Sequence, residues 1–288
     1  MLGWIDTIVQ GVLLGGLYSL YATGLSVIFG IMRLVNLAHG DLIVLGAFLI
    51  LALTAAGVPL IAAFVIVLPV MFAVGHFLQA AILNRVLGRS ILPPLLITFG
   101  LSIIIQNGLL EAFSADTRFL NVGSLQGASL PLGGGIAIGV MPLICLGAAI
   151  AVIVLLNGVF YRTAIGRAFR ATSDDVEIAQ LMGINNKRIY ALTMAIAVAV
   201  CAVAAFFLGT RANFDPSVGP ARLLYAFEAV IIGGLGSLWG TLAGGIVVGL
   251  AQTIGAHIDP EWQILSGHIA FLIVLVLRPR GLFPRATD

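Results

Sequence analysis

Charge is what this sequence has least of. Only 9% of its 288 residues are Asp, Glu, Lys or Arg, where a soluble domain carries about a quarter. No soluble fold has enough interior to hide the 60% that are hydrophobic. Cysteine is nearly absent too, and Cys145 and Cys201 both sit inside apolar runs, where a thiol behaves as a small core residue; neither a disulfide nor a metal site is expected. The formal charge of +2 is too small to imply nucleic acid. No basic region precedes the first apolar run and no small-residue cleavage site follows it, so residues 1–31 read as a retained span. With no soluble segment in view, residues 1–288 read as one transmembrane domain.

What the chain does have is long runs without charge. Crossing about 30 Å of hydrocarbon takes about 20 helical residues, and such runs recur: Thr7 to Ile31, Leu42 to Asn84 (interrupted by Gly57 and Pro59), Ser90 to Leu110, Phe119 to Tyr161, Ile189 to Thr210, Ala229 to Ala256 and Trp262 to Leu277. The expected fold is all-α, a polytopic bundle with spans near 7–31, 40–56, 59–83, 91–112, 136–158 and 189–210, a broken pair within 223–256, and a last span at 261–277. That makes about eight membrane segments. The broken pair follows from length: Leu223 to Ala256 as one helix would run about 50 Å, and Gly233, Gly234, Gly236 and Gly240 interrupt it. Irregular backbone at membrane depth must be buried or line a wet cavity, so the break is expected inside the bundle.

Loops retained in the cytoplasm carry an excess of Lys and Arg. If the broken pair enters and returns on one face, Arg33, Arg85, Arg89, Arg162, Arg167, Arg170, Lys187, Arg188, Arg278, Arg280 and Arg285 share a side, against Arg118, Arg211 and Arg222. The N-terminus is then outside and the C-terminus cytoplasmic. Small residues recur four apart at Gly11, Gly15, Ser19 and Thr23, and again at Thr241, Gly245, Gly249 and Thr253. In lipid such faces let backbones approach closely, and both are expected to be helix contacts.

The basic loop 161–188 contains a segment of about ten residues that reads as a helix, capped by Thr172 or Ser173 and ended by Gly183 with Asn185. Ile178, Leu181 and Met182 share one face and Asp174, Glu177 and Gln180 the other. A rod about 15 Å long cannot span, and its acidic polar face is unlike that of helices that rest on lipid; docking onto a partner suits it better. Elsewhere, Arg33, Asn36, His39 and Asp41 make an unusually polar link between two spans, with Arg33 and Asp41 as the expected pair. Thr98, Ser102 and Gln106 form one stripe at i, i+4 and i+8, matched to a zwitterionic solute or to interhelical hydrogen bonds. Glu228 is a lone acid ahead of the glycine break, and Ser237 lies within it.

The loop segment Glu177-Ile-Ala-Gln-Leu-Met-Gly183 resembles a degenerate coupling loop of ABC permeases, without the downstream Leu-Pro of the fuller motif. Leu34-Val-Asn-Leu-Ala-His-Gly-Asp41, Thr98-Phe-Gly-Leu-Ser102, Gly166-Arg-Ala-Phe-Arg170 and Gly233-Gly-Leu-Gly-Ser-Leu-Trp-Gly240 resemble the smaller permease of branched-chain amino-acid importers, over essentially the full chain. The resemblance implies a transport subunit rather than an enzyme, in a bacterial inner membrane, carrying leucine, isoleucine or valine. It implies a second related permease, two cytoplasmic ATPases that hold the ATP and magnesium, and an extracytoplasmic binding protein. No cofactor is expected on this chain itself. The motif gives the coupling role to Glu177, Ala179, Leu181, Met182 and Gly183. The expected path takes in Asn36, His39, Asp41, Thr98, Ser102, Gln106, Glu228 and Ser237.

Two other classes fit parts of the pattern. An ion-coupled secondary transporter also uses broken helices, with Asp41 and Glu228 as its available membrane acids. An intramembrane serine protease would pair Ser237 with His257 or His268, though the Gly-x-Ser-x-Gly elbow is missing.

Overall fold

The structure, a computed structural model, describes residues 2–87, 92–133 and 136–283. It is an all-helical bundle: α1 (Leu2–Met32), α2 (His39–Ala55), α3 (Leu60–Phe77), α4 (Leu92–Phe113), a short hairpin of β1 (Ser129–Gly133) and β2 (Ile136–Gly139), α5 (Val140–Arg162), α6 (Ala164–Asp174), α7 (Val176–Leu181), α8 (Asn186–Arg211), α9 (Gly219–Gly233), α10 (Leu238–Ile258) and α11 (Trp262–Leu277). A π turn and a 3-10 turn carry α3 on to Arg85. Among the described residues, α1, extended α3, α4, α5, α8 and α10 are long and apolar enough to cross a membrane, while α2 and α11 are shorter. The expected span from 136 starts later, at Val140, because residues 136–139 pair as a strand with β1.

The two small-residue faces meet each other. A Cβ on Gly15 would lie 2.8 Å from Gly245 O, and one on Gly249 would lie 2.9 Å from Gly15 Cα. The α1 and α10 backbones therefore run in direct contact and in opposite directions. Ser19 Oγ donates to Leu242 O across the seam at 3.3 Å, besides bonding its own Gly15 O. Without a hydrophobic drive in lipid, this close packing is what joins the helices. α8 fills the other side of α1, where a Cβ on Gly24 would sit 2.7 Å from Ala197 O.

One helix begins deep inside. After Met32 the chain turns back along α1, so that His39, the first residue of α2, bonds Tyr21 O at 2.8 Å. Tyr21 lies about 16 Å back from Met32 along α1 at 1.5 Å per residue. Past the exposed Arg33, the irregular segment is thus packed into protein through buried Leu34, Asn36 and Ala38, as hydrocarbon demands. Asn36 Oδ1 accepts from Ala38 N at 3.1 Å and so supplies an acceptor where no helix carbonyl can. The start of α9 abuts the start of α2: a Cβ on Gly40 would collide with Gly219 O, and one on Gly219 with Asp41 Oδ1. Both positions need glycine.

The glycine break lies at residues 234–237, with Gly234 and Gly236 at φ of +104° and +78°. It joins α9 and α10 as an antiparallel pair, Gly233 against Gly240 and Ala229 against Gly244. The pair returns the chain as expected, but the break stands at an end of the bundle. α10 alone, 21 residues long, spans about 31 Å, which leaves no surplus length to bend at mid-depth. The break touches Gly30 near the end of α1 and is covered by the C-terminal segment, whose Leu282 N and Phe283 N donate to Ile232 O and Gly233 O at 2.8 and 3.0 Å. Ser173 Oγ donates to Gly30 O at 2.6 Å and Asn84 Nδ2 to Lys187 O at 3.1 Å. This end therefore collects Arg33, Arg85, Arg162, Arg167, Arg170, Lys187, Arg188, Arg278 and Arg280; Arg89 and Arg285 lie outside the described residues. Arg118 and Arg211 stand at the opposite end, bonded to Phe113 O and Leu13 O. Arg222, expected beside them, is half-buried in the first turn of α9.

The seam gives a prediction. Gly15→Ala should lower the stability of the purified protein by about 1–3 kcal/mol, the usual range for overpacking, whereas Gly100→Ala, whose Cβ would meet nothing within 4 Å, should leave it unchanged. Thermal unfolding in detergent compares the two, and equal melting would show that the seam is not tight.

Candidate functional site

The polar stripe of α4 and the acid of α2 are one site. Asp41, in the first turn of α2, is buried at 1% exposure. Ser102 Oγ donates to its Oδ2 at 2.6 Å, and Gln106 Nε2 donates to its Oδ1 at 3.0 Å and to Ser102 Oγ at 3.1 Å. The carboxylate also lies in the favourable field of a helix N-terminus. The expected Arg33–Asp41 pair does not form: Arg33 is exposed, at φ +49°. The reason is geometric, since the segment after Arg33 climbs back into the bundle and carries Asp41 away from the end where Arg33 stays. Thr98 is buried but bonds Leu95 O of its own helix at 3.1 Å.

Asn36 and His39 hold the start of α2 in place from behind. Because a carbonyl only accepts, the bond to Tyr21 O puts the proton of neutral His39 on Nε2. Cys201 Sγ lies 3.7 Å from His39 Nδ1, and Asn36 Nδ2 lies 3.8 Å from Met194 Sδ. Both residues are fully buried, so they act on the site through backbone position.

Glu228 is separate from this cluster. It is buried in the middle of α9 and its Oε1 pairs with His268 Nδ1 of α11, while Oε2 has no partner among the described residues. Elsewhere in the bundle, Tyr18 Oη of α1 donates to Gln252 Oε1 of α10 at 2.5 Å. Ser237 caps α10, accepting from Gly240 N at 3.1 Å. It stands about 30 Å along α10 from His257 at 1.5 Å per residue, and His268 is engaged by Glu228. The serine and histidines of the protease reading are not brought together.

At the basic end, the loop folds as two helices rather than one. Thr172 and Ser173 fall near the end of α6; the cap of α7 is Asp175, whose Oδ1 accepts from Glu177 N and Ile178 N at 2.9 Å each. Asp175 combines a capping side chain with a favourable charge at the helix start, which is why it wins over its neighbours. Gly183 ends α7 at φ +85°, with nothing within 4 Å of an added Cβ, and Asn185 instead caps α8, accepting from Arg188 N at 3.2 Å. Ala179 is buried at 3%, seating α7 on the bundle, whereas Ile178, Leu181 and Met182 are 58%, 86% and 78% exposed. Glu177 is exposed beside them. Three large apolar side chains in solvent at one short helix make a surface patch that calls for a partner.

Sequence reasoning missed Gly40 and Gly219, which let α2 and α9 cross at Asp41; the Gly219-Pro220 pair, a helix-start signal, was the available hint. It also missed that His268 answers Glu228. The site generates a prediction. Gln106→Leu, which removes one donor from a buried carboxylate at a cost of about 1.5–3 kcal/mol, should cut transport at least about tenfold, and Arg33→Gln should leave it near normal. Solute uptake by the assembled system measures both, and the reverse ranking would restore Arg33 as the partner of Asp41.

Comparison with known proteins places these features in a family. A family model described as branched-chain amino acid transport system / permease component matches residues 7–277. The high-affinity branched-chain amino acid transport system permease protein BraD of Pseudomonas aeruginosa is 30% identical, over 98% of this chain and 96% of its own length. LivH of Escherichia coli K12, of the same description, is also 30% identical over the same shares. The fructose import permease protein FrcC of Rhizobium meliloti is 29% identical over 67% of this chain and 56% of its own. On the strength of a match over nearly its whole length, this chain belongs to the family of permease components of branched-chain amino-acid transport systems.

Proposed function

We propose that this permease carries branched-chain amino acids as one half of the membrane passage of an ABC importer, driven by ATPases that grip α7. The observation that carries the reading is the exposed Ile178, Leu181 and Met182 on a helix seated by Ala179, capped by Asp175 and stopped by Gly183. A self-contained, ion-coupled carrier has no use for such a patch, and the two membrane acids it would employ are already engaged, Asp41 by Ser102 and Gln106 and Glu228 by His268. Full-length similarity to BraD and LivH, against partial similarity to FrcC, supports leucine, isoleucine and valine over a sugar.

The rest of the assembly follows from this reading. The basic end faces the cytoplasm of a bacterial inner membrane, which puts both the start of α1 and the end of α10 outside. A second related permease completes the passage, two ATPases hold ATP and magnesium, and an extracytoplasmic protein delivers and selects the solute. This chain binds no cofactor and performs no chemistry. The passage runs beside the Asp41–Ser102–Gln106 cluster, where neutral hydroxyl and amide groups replace lost water weakly enough for release. Thr98 continues that face of α4; Asn36 and His39 position α2; Glu228 and Ser237 hold α9 and α10.

The docking claim is tested by Leu181→Asp and Met182→Asp. Each should leave the amount of protein in the membrane unchanged while the ATPases no longer co-purify and leucine uptake falls more than about tenfold, since a desolvated charge at an interface costs several kcal/mol. Co-purification at normal yield would remove α7 from the interface. Gly183→Leu meets no neighbour but must hold a left-handed backbone, at about 1–2 kcal/mol, so its effect should be smaller than that of either aspartate.

A further inference from the structure

A cavity of about 240 Å³ opens at the basic end between α1, α5, α6 and the start of α10, lined by Ser26, Gly30, Asn157, Arg170, Ser237 and Trp239 among others. Of the residues assigned to the passage only Ser237 lines it, as the cap of α10. Three of the cavity's polar groups suit an anion: Arg170, the amides that open α10, and Ser26. Arg170 donates to Phe160 O and stacks on the Tyr161 ring at 5.1 Å, but one bond does not exhaust a guanidinium fork of five N–H groups. The first amides of α10 have no acceptor within their own helix, and the Ser237 side chain takes only that of Gly240. Ser26 supplies an independent sign: the residue lines the cavity, is 1% exposed, and its hydroxyl has no hydrogen-bond partner among the described residues. A buried hydroxyl without a partner is costly, and an oxyanion in the cavity would accept its proton. No Asp or Glu among the described residues lines the space, so the ammonium of an amino acid would find no counter-charge.

The rim identifies the source of the anion. Tyr161 ends α5 and Trp239 begins α10, and they are 61% and 48% exposed. These are the residue types that settle at the level of lipid headgroups, and the outer face of α5 above them is apolar, with Val154 and Leu155 exposed. A phosphate entering here would leave acyl chains lying along α5. We propose that this cavity binds the phosphate headgroup of an anionic phospholipid of the cytoplasmic leaflet, held by Arg170, Ser26 and the N-terminus of α10. The bound lipid would brace α6, which leads directly into α7, against α1 and α10.

Native mass spectrometry of the assembled importer in detergent tests this, with phosphatidylglycerol, phosphatidylcholine and inorganic phosphate as separate probes. Phosphatidylglycerol should be retained in preference to phosphatidylcholine, inorganic phosphate should not displace it at equal concentration, and Arg170→Gln should lower its retention about tenfold, as expected for loss of a charge-assisted pair. Ser26→Ala guards against misfolding of the arginine variant, because it removes a group that has no partner among the described residues; it should also lower retention. Arg167→Gln, on the exposed side of α6, should not. Equal retention of the two lipids, or unchanged retention in both Ser26→Ala and Arg170→Gln, would overturn the proposal. Preferential capture of inorganic phosphate would make the site one for a free oxyanion and overturn the lipid assignment.

Discussion

A carboxylate buried away from water governs how this bundle is put together. Ionised groups at the centre of a membrane helix cost roughly 2.5–3.5 kcal/mol on insertion scales, so Asp41 persists only where other elements satisfy it. α2 contributes its N-terminus, Ser102 and Gln106 contribute two donors, and Gly219 brings the α9 backbone against the carboxylate without a side chain in the way. α4 packs on the described bundle chiefly through α2, and half of its large apolar residues, Leu96, Phe99 and Ile104 among them, face outward. Apolar contacts join it as well, Leu109 in the core and Phe113 against Phe48, so what is specific to its attachment is the polar joint at Asp41. A joint of that kind can open and re-form in a way that an interdigitated apolar contact cannot.

The remaining contacts divide into rigid and adjustable ones. The α1–α10 seam has backbone against backbone and offers no room for a shift. At the basic end, α6 is held by Phe169 in a small apolar cluster with Val27, Ile31 and Leu156 and by the Ser173–Gly30 hydrogen bond, beside a cavity that reaches the glycine break. Motion imposed on α7 thus meets this smaller cluster and its cavity first and the α1–α10 seam behind them. That arrangement matches what a membrane subunit driven from outside needs: a lever at the surface, a stiff frame, and a polar joint within.

Much of this was legible in the residues. Hydropathy located the spans, small residues four apart marked both halves of the seam, and Gly233 to Gly240 announced the chain reversal. Each of those signals is local in sequence. The cap of α7 was misplaced because Thr172, Ser173, Asp174 and Asp175 can all cap, and only the preceding helix α6 decides among them. Arg33 and Asp41 looked like a pair for a similar reason: proximity along the chain stood in for proximity in space. The true partners of Asp41 lie 61 and 65 residues away on α4, and the stripe that carries them was visible without any sign of what it faced. Why the break sits at the end of the bundle was readable only from the full length of α10.

Transport by this permease is predicted to need Asp41 and α4 acting together. A double-mutant cycle of Asp41→Asn and Ser102→Ala, read as ATP-driven leucine uptake by the reconstituted importer, measures that coupling directly. Contacting residues in one hydrogen-bond network show interaction energies of about 0.5–3 kcal/mol, and a value above about 1 kcal/mol is predicted for a charge-assisted pair. Additive effects of the two substitutions would contradict it, leaving the carboxylate and the stripe as unrelated packing features.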